Sequence, residues 1–89
     1  MGSLPIPGEM YINDFPDKSL YTVIRENHTV GNYDGLPNED EDGRHIAFLY
    51  GADIQNGDML SAEYKRSITV VSTDIDTYNG KPSIIKAYY

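Results

Sequence analysis

The residues with the clearest chemical spacing are Asn38, Asp40 and Asp42 followed by Gly43, which set oxygen-bearing side chains at alternate positions ahead of a glycine. A calcium loop of the EF-hand type presents its ligands in this way. The match then lapses: the twelfth position is Leu49 where such a loop needs a bidentate glutamate, the eighth is His45, and neither flank has helical periodicity. A solvated acidic loop is the favoured reading, with a calcium-stabilised domain behind it. His28 and His45 are the only imidazoles, and neither has a second histidine or a cysteine at metal-ligand spacing. The chain has no Gly-x-Ser-x-Gly elbow for a nucleophilic serine and no Gly-x-x-x-x-Gly-Lys loop for a phosphate. Fourteen carboxylates offer so many pairs for hydrolysis that none is singled out. The residue types therefore predict no enzyme, no catalytic or metal-ligating residue and no cofactor.

Charge narrows the partners. Fourteen acids against seven bases give a formal charge of -7, which argues against an independent binder of nucleic acid or anionic membrane. The acidity is uneven, because Asp34, Glu39, Asp40, Glu41 and Asp42 crowd into one short stretch while the bases are spread along the chain. Lys65 and Arg66 are the only adjacent basic pair, explained equally by a surface strand end or by a binding patch. No apolar stretch approaches the roughly 20 residues of a membrane span, and the N-terminus lacks the basic-then-apolar order of a signal peptide. A soluble protein that is not Sec-exported is expected. Met1-Gly2-Ser3 has the composition of a tag remnant, and Asn27-His28-Thr29 matches a glycosylation acceptor by letters alone.

These residues must be positioned by a small body. At 89 residues the chain is long enough for one domain, and a domain of this size removes only about 60 to 65 percent of its unfolded surface from water. Eight tyrosines, two phenylalanines and no tryptophan suit a thin core, since a tyrosine can bury its ring while its hydroxyl stays wet. Without cysteine there is neither a disulfide framework nor a thiolate zinc site, so contacts between subunits are the remaining source of added stability.

The periodicity is that of strands. Ser19 to Glu26 alternates Leu20, Thr22 and Ile24 against Tyr21, Val23 and Arg25. Ile46, Phe48 and Tyr50 lie two apart, which predicts one buried face, and Gly51 with Ala52 ends that run. Asn56 and Gly57 tolerate positive φ, Asp58 can accept bonds from nearby amides, and Met59 with Leu60 re-enters the core. Ser67 to Asp74 and Ser83 to Tyr89 again alternate, and Asn79-Gly80 between them is a hairpin signal. Residues 1 to 18 hold Pro5, Pro7 and Pro16, so they are expected to form an extended arm and not a helix. Residues 27 to 45, with Gly31, Gly35, Pro37 and Gly43 among the acids, are expected to form a long acidic loop. The fold class predicted is all-β: a small single-domain β-barrel or sandwich of five or six short strands with that loop.

The strand Ile46 to Tyr50, the turn with Gly51, Asp53 and Ile54, the Gly57-Asp58 pair ahead of Met59 and Leu60, and the closing strands Ile68 to Val71 and Ile84 to Tyr89 together resemble the head-tail connector proteins of tailed bacteriophages, in particular the small head-completion or stopper family. The likeness covers roughly the last half of the chain. It implies a small β-barrel without enzymatic activity, resident in the virion after assembly in the host cytoplasm. It implies self-association into a ring, hexamer or dodecamer, between portal-adaptor proteins and tail proteins, with no membrane involved. It also implies a loop that projects into the channel and helps retain packaged DNA. On that reading Asp34, Glu39, Asp40, Glu41, Asp42 and Arg44 face the channel or the DNA, while Gly51, Asp53, Gly57 and Asp58 set a structural turn. The alternative is a small β-barrel binding module that recognises a peptide or sugar through exposed tyrosines.

Overall fold

The computed structural model describes residues 4–14 and 16–89; residues 1–3, read above as a tag remnant, lie outside the described residues, as does residue 15. Seven strands form one antiparallel sheet: β1 (Ser19–Arg25), β2 (His28–Asp40), β3 (Gly43–Leu49), β4 (Met59–Ser61), β5 (Ile68–Thr69), β6 (Ser72–Tyr78) and β7 (Lys81–Tyr88). Their order across the sheet is β5-β4-β1-β2-β3-β7-β6. β5 and β6 thus stand at opposite ends of the sheet, yet only Val70 and Val71 separate them in the chain. A flat sheet cannot meet that condition, so the sheet curls into a half-barrel. The Val70 amide donates to the Asp58 carbonyl at 2.8 Å, and the Val71 amide donates to the Tyr88 carbonyl at 2.8 Å. The alternating run predicted as a single strand is therefore two strands that change partners at one dipeptide.

Two turns fix the register of the hairpins. Asn79 (φ 53°) and Gly80 (φ 77°) form the predicted two-residue connection between β6 and β7, with both residues in the left-handed region that a type I′ turn requires. Glu26 (φ 52°) and Asn27 (φ 66°) do the same between β1 and β2. A glutamate at such a position gives no sequence signal for a hairpin, and its neighbour β2 was correspondingly hidden.

β2 is the main correction to the sequence reading. Residues 27 to 45 are not a long loop: thirteen of them, His28–Asp40, are strand, and β3 begins at Gly43. The residues that argue against a strand each have a local reason to be there. A Cβ on Gly35 would lie 2.6 to 2.8 Å from Ile46, Phe48 and Tyr21, so this position must be bare for those side chains to close over the strand. Pro37 pairs with Ile46 on one side, but β1 ends at Ser19 opposite Gly35, so the other edge of β2 has no ladder there for proline to break.

The amino-terminal arm is the second correction. Gly8–Asn13 is a short helix, α1, entered through Pro7 (φ -57°). Proline is compatible with a helix start because the missing N–H would have no partner in the helix. The Gly8 amide donates to Ser83 Oγ at 2.8 Å, and Ile12 is fully buried with Leu36, Ala47 and Ile84. On the other face of the sheet the main core gathers Tyr21, Val23, Ile46, Phe48, Ile54, Leu60, Val70 and Ala87. Phe48 takes Tyr21 edge-on at a centroid distance of 5.7 Å and Tyr33 at 6.4 Å. β3 is therefore buried on both faces along His45–Phe48, whereas Tyr50, beyond its end, is 54 % exposed and not part of the buried stripe.

Gly35→Ala should lower stability by about 1–3 kcal/mol, the usual cost of forcing a methyl group into a packed core. A urea midpoint equal to that of the parent protein would show that the Tyr21–Phe48 closure over β2 is not tight.

Candidate functional site

Because β2 outruns β1, its far end pairs with β3 alone. β3 in turn meets β7 only from His45, opposite Tyr88. Glu39, Asp40, Glu41, Asp42 and Gly43 thus form a hairpin tip beyond the β3–β7 ladder, with Arg44 at its base, where its carbonyl accepts the Tyr89 amide at 3.2 Å. Asp40 Oδ1 accepts the Asp42 amide at 2.8 Å and shapes the turn, and Gly43 completes it at φ +127°. The structure brings together Glu39, Asp40, Glu41 and Asp42 of the acidic group. Asp34 is elsewhere, six residues back along β2 and opposite Leu20, about 20 Å away at the rise of an extended strand.

Strand alternation sends the tip residues to two different faces. Asp40 turns toward the α1 face, where its Oδ2 accepts the Tyr88 hydroxyl at 2.9 Å and lies 3.1 Å from Lys86 Nζ. Lys86 Nζ also lies 3.4 Å from Asp76 Oδ2, and both residues are buried. Partial desolvation pushes the Asp40 carboxyl upward, but the bonds from Tyr88, Lys86 and the Asp42 amide outweigh it and hold its pKa down at about 2. Lys86 rises despite its burial because Tyr88, Asp40 and Asp76 favour its charged form. His45 is buried beside them, its Nδ1 without a hydrogen-bond partner and 3.6 Å from Asp40 Oδ2. Burial lowers its pKa, against the pull of the Asp40 charge. The cluster braces the hairpin: Asp40, Lys86, Asp76 and Tyr88 engage one another, and His45 Nδ1 alone is left without a hydrogen-bond partner among the described residues. Asn38 engages Tyr11 at 2.7 Å and its own neighbour Glu39, so the oxygen ligands of the calcium-like pattern do not converge. Among the described residues no group of three His, Asp or Glu side chains is placed to hold a metal ion.

The turn residues lie at the opposite end of the sheet. Gly51 (φ +104°) and Gly57 (φ +91°) take conformations that side chains rarely adopt. Asp58, 1 % exposed, receives Arg25 in a two-pronged contact, Nε to Oδ1 at 2.9 Å and a terminal nitrogen to Oδ2 at 2.8 Å. Its Oδ2 also accepts the Gln55 amide at 2.8 Å. Arg25 reaches Asp53 as well, at 3.0 Å, and the Asp53 amide donates to the Tyr33 hydroxyl at 3.2 Å. The turn is thereby clamped to β1 and β2. Arg25 keeps the Asp58 carboxyl below its ordinary range, and the two aspartates raise Arg25 further above its own. No signal in the sequence marks Arg25, because its partner lies 33 residues away.

Arg44 does not join the acidic tip. It shares a strand face with Ile46 and, with Lys65 and Arg66, rims a groove of about 500 Å³ whose floor includes Tyr21, Ile46 and Tyr89. Lys65 Nζ stands 6.0 Å from the centre of the Tyr21 ring. Burial raises the Tyr21 phenol, and Tyr89 beside it adds to the effect. Lys65 and Arg66 belong to the β4–β5 connection and not to a strand end: the Lys65 amide donates to the Ala62 carbonyl at 3.2 Å, and Tyr64 takes φ 61°. Among the described residues Arg44, Lys65 and Arg66 form no ion pair, while Arg25 and Lys86 are both tied to aspartates. The sequence could not show this groove, since its walls come from four distant segments.

No protein-family model matches the chain, no curated protein is similar to it at a significant level, and no solved structure is either.

Asp58→Ala should cost about 3 kcal/mol, as breaking one half of a buried ion pair does, and a loss below about 0.5 kcal/mol, the scatter of surface substitutions, would contradict the clamp. Asp40 makes a second prediction through pH. Its folded pKa of about 2 lies below the ordinary 3.8, so its contribution is complete above the ordinary value and disappears as pH falls toward the folded one. Thermal melts should show the parent protein losing stability more steeply than Asp40→Asn between those two pH values; parallel curves would contradict the assignment.

Proposed function

We propose that the protein is a non-enzymatic structural subunit that forms a ring in a phage head-tail connector, between portal-adaptor proteins and tail proteins of the virion. The observation that carries this reading is a pair of separate apolar patches. Leu20 and Tyr64, exposed at 60 % and 98 %, line one groove between β1 and the turn after β4, and Met59, at 37 %, stands further along β4 opposite Ile24, beyond the Thr22–Ser61 pair. Leu49 and Tyr50, at 36 % and 54 %, form the other patch at the end of β3 beside Gly8 and Glu9 of α1, the helix that also carries Met10, 47 % exposed. Exposed Asn32 and Asp34 on β2 stand between them. Exposed apolar patches mark contact surfaces, and a ring needs two different ones per subunit, each meeting the other on the next copy.

The acidic hairpin fits the lumen of such a ring. With Asp40 held by Lys86 and Tyr88, the carboxylates free at the tip are Glu39, Glu41 and Asp42. Six subunits would line a channel with about eighteen such groups, and their field would repel DNA phosphate within a Debye length of about 8–10 Å. Passage without sticking is what this lining supports, and holding packaged DNA would need the hairpin tips to narrow the channel sterically.

The binding-module reading draws on the tyrosines, but Tyr50, Tyr64 and Tyr89 line different grooves. A shared aromatic platform for a sugar is not formed by them. Two grooves do pair tyrosines, Tyr33 with Tyr50 and Tyr21 with Tyr89, and the second of these, with its cationic rim, supports this second reading as a peptide site.

Mixing the purified protein with portal-adaptor and tail proteins should give closed rings by native mass measurement and electron microscopy. Leu20→Asp combined with Met59→Asp should abolish the rings while leaving the melting temperature near that of the parent. A strict monomer both alone and with those proteins would overturn the proposal.

A further inference from the structure

We infer that the groove rimmed by Arg44, Lys65 and Arg66 is a docking site for an extended acidic peptide carrying one apolar or aromatic side chain. The inference deepens the peptide reading of that groove and does not depend on ring formation. Charge complementarity carries it. The chain has only seven bases, and three of them surround one opening without an ion pair among the described residues. Unpaired like charges gathered in one place raise the energy of the free protein, and an anionic partner relieves that cost. The floor is not polar: Tyr21 and Ile46 are core residues, 4 % and 2 % exposed, that show one edge to the groove. A volume of about 500 Å³ falls in the range of sites that enclose a side chain and its flanking backbone. An apolar side chain seated on Tyr21 and Ile46 would place carboxylates on either side of it against Arg44 and against Lys65 with Arg66.

A single-stranded nucleic acid offers the same pairing of anion and ring. The remaining charges disfavour it. The rest of the chain carries fourteen acids against four bases, Glu39 stands directly across the hairpin from Arg44, and Glu63 precedes Tyr64 in the turn. A short peptide confines its carboxylates to the groove, whereas a polyanion must carry phosphates across that acidic surround.

The test is an NMR titration of the isotope-labelled full chain with the blocked peptide Glu-Asp-Phe-Asp-Glu, with Gln-Asn-Phe-Asn-Gln as its neutral match and with a short oligothymidylate. The acidic peptide should shift the amides of Arg44, Ile46, Lys65, Arg66 and Tyr89. Its affinity should exceed that of the neutral peptide by about tenfold or more and should fall with added salt. Lys65→Glu with Arg66→Glu, and separately Arg44→Glu, should each weaken binding by a similar factor at an unchanged melting temperature. The inference is overturned if millimolar acidic peptide leaves these amides unmoved, if the two peptides bind alike, if the reversed variants bind as the parent does, or if oligothymidylate binds more tightly. Self-association that disappears in the reversed variants would assign the groove to a second copy of the chain and would also overturn it.

Discussion

The amides of Val70 and Val71 donate in succession to Asp58 in the β4 region and to Tyr88 in β7, each at 2.8 Å, and so tie the two ends of the sheet to each other. A domain of this size has little apolar surface to bury, and an open sheet would leave the face of Tyr21, Phe48 and Leu60 half wet. Closing the two ends to within one dipeptide turns that face inward and makes a core of it. Asp58 serves the closure twice. Its carbonyl receives Val70, and its carboxylate receives Arg25 from β1. The Gly57-Asp58 turn is therefore where main-chain and side-chain constraints on the curl meet.

The same closure sets the functional surface. Lys65 and Arg66 follow β4 near one end of the sheet, while Arg44 and Tyr89 belong to β3 and the end of β7 toward the other. They share a groove because the sheet is curled. The hairpin of β2 and β3 then divides its charges by alternation. Asp40 is drawn to Lys86 and Tyr88 on the α1 face, and Arg44 is presented to the groove on the other. One two-stranded ribbon thus offers an acidic tip and contributes Arg44 to the groove, with Glu39 of the tip directly opposite it.

Much of the β structure was legible in the sequence where alternation is strong. Tyr21 and Val23 in β1, Ile46 and Phe48 in β3 and the turn at Asn79-Gly80 are local signals, and the structure places them in strands and a hairpin. β2 was hidden because its glycines and proline are there for tertiary reasons: Gly35 makes room for Tyr21 and Phe48, and Pro37 sits where the neighbouring strand has ended. α1 was hidden behind Pro5 and Pro7, whose effect on a helix reverses between its interior and its start. At the site the sequence showed the acidic cluster and the Lys65-Arg66 pair but not how they separate. Which face Arg44 takes follows only from the register of β3 against β2, and the pairing of Arg25 with Asp58 follows only from the curl.

The most direct measurement of the closure is native-state hydrogen exchange at the amides of Val70 and Val71. If these bonds join the two ends of the sheet, both amides should exchange only through global unfolding, with protection equal to that of the central β3 amides such as Phe48. Exchange at the rate of an exposed loop would contradict it, and with it the common origin of the core and the groove.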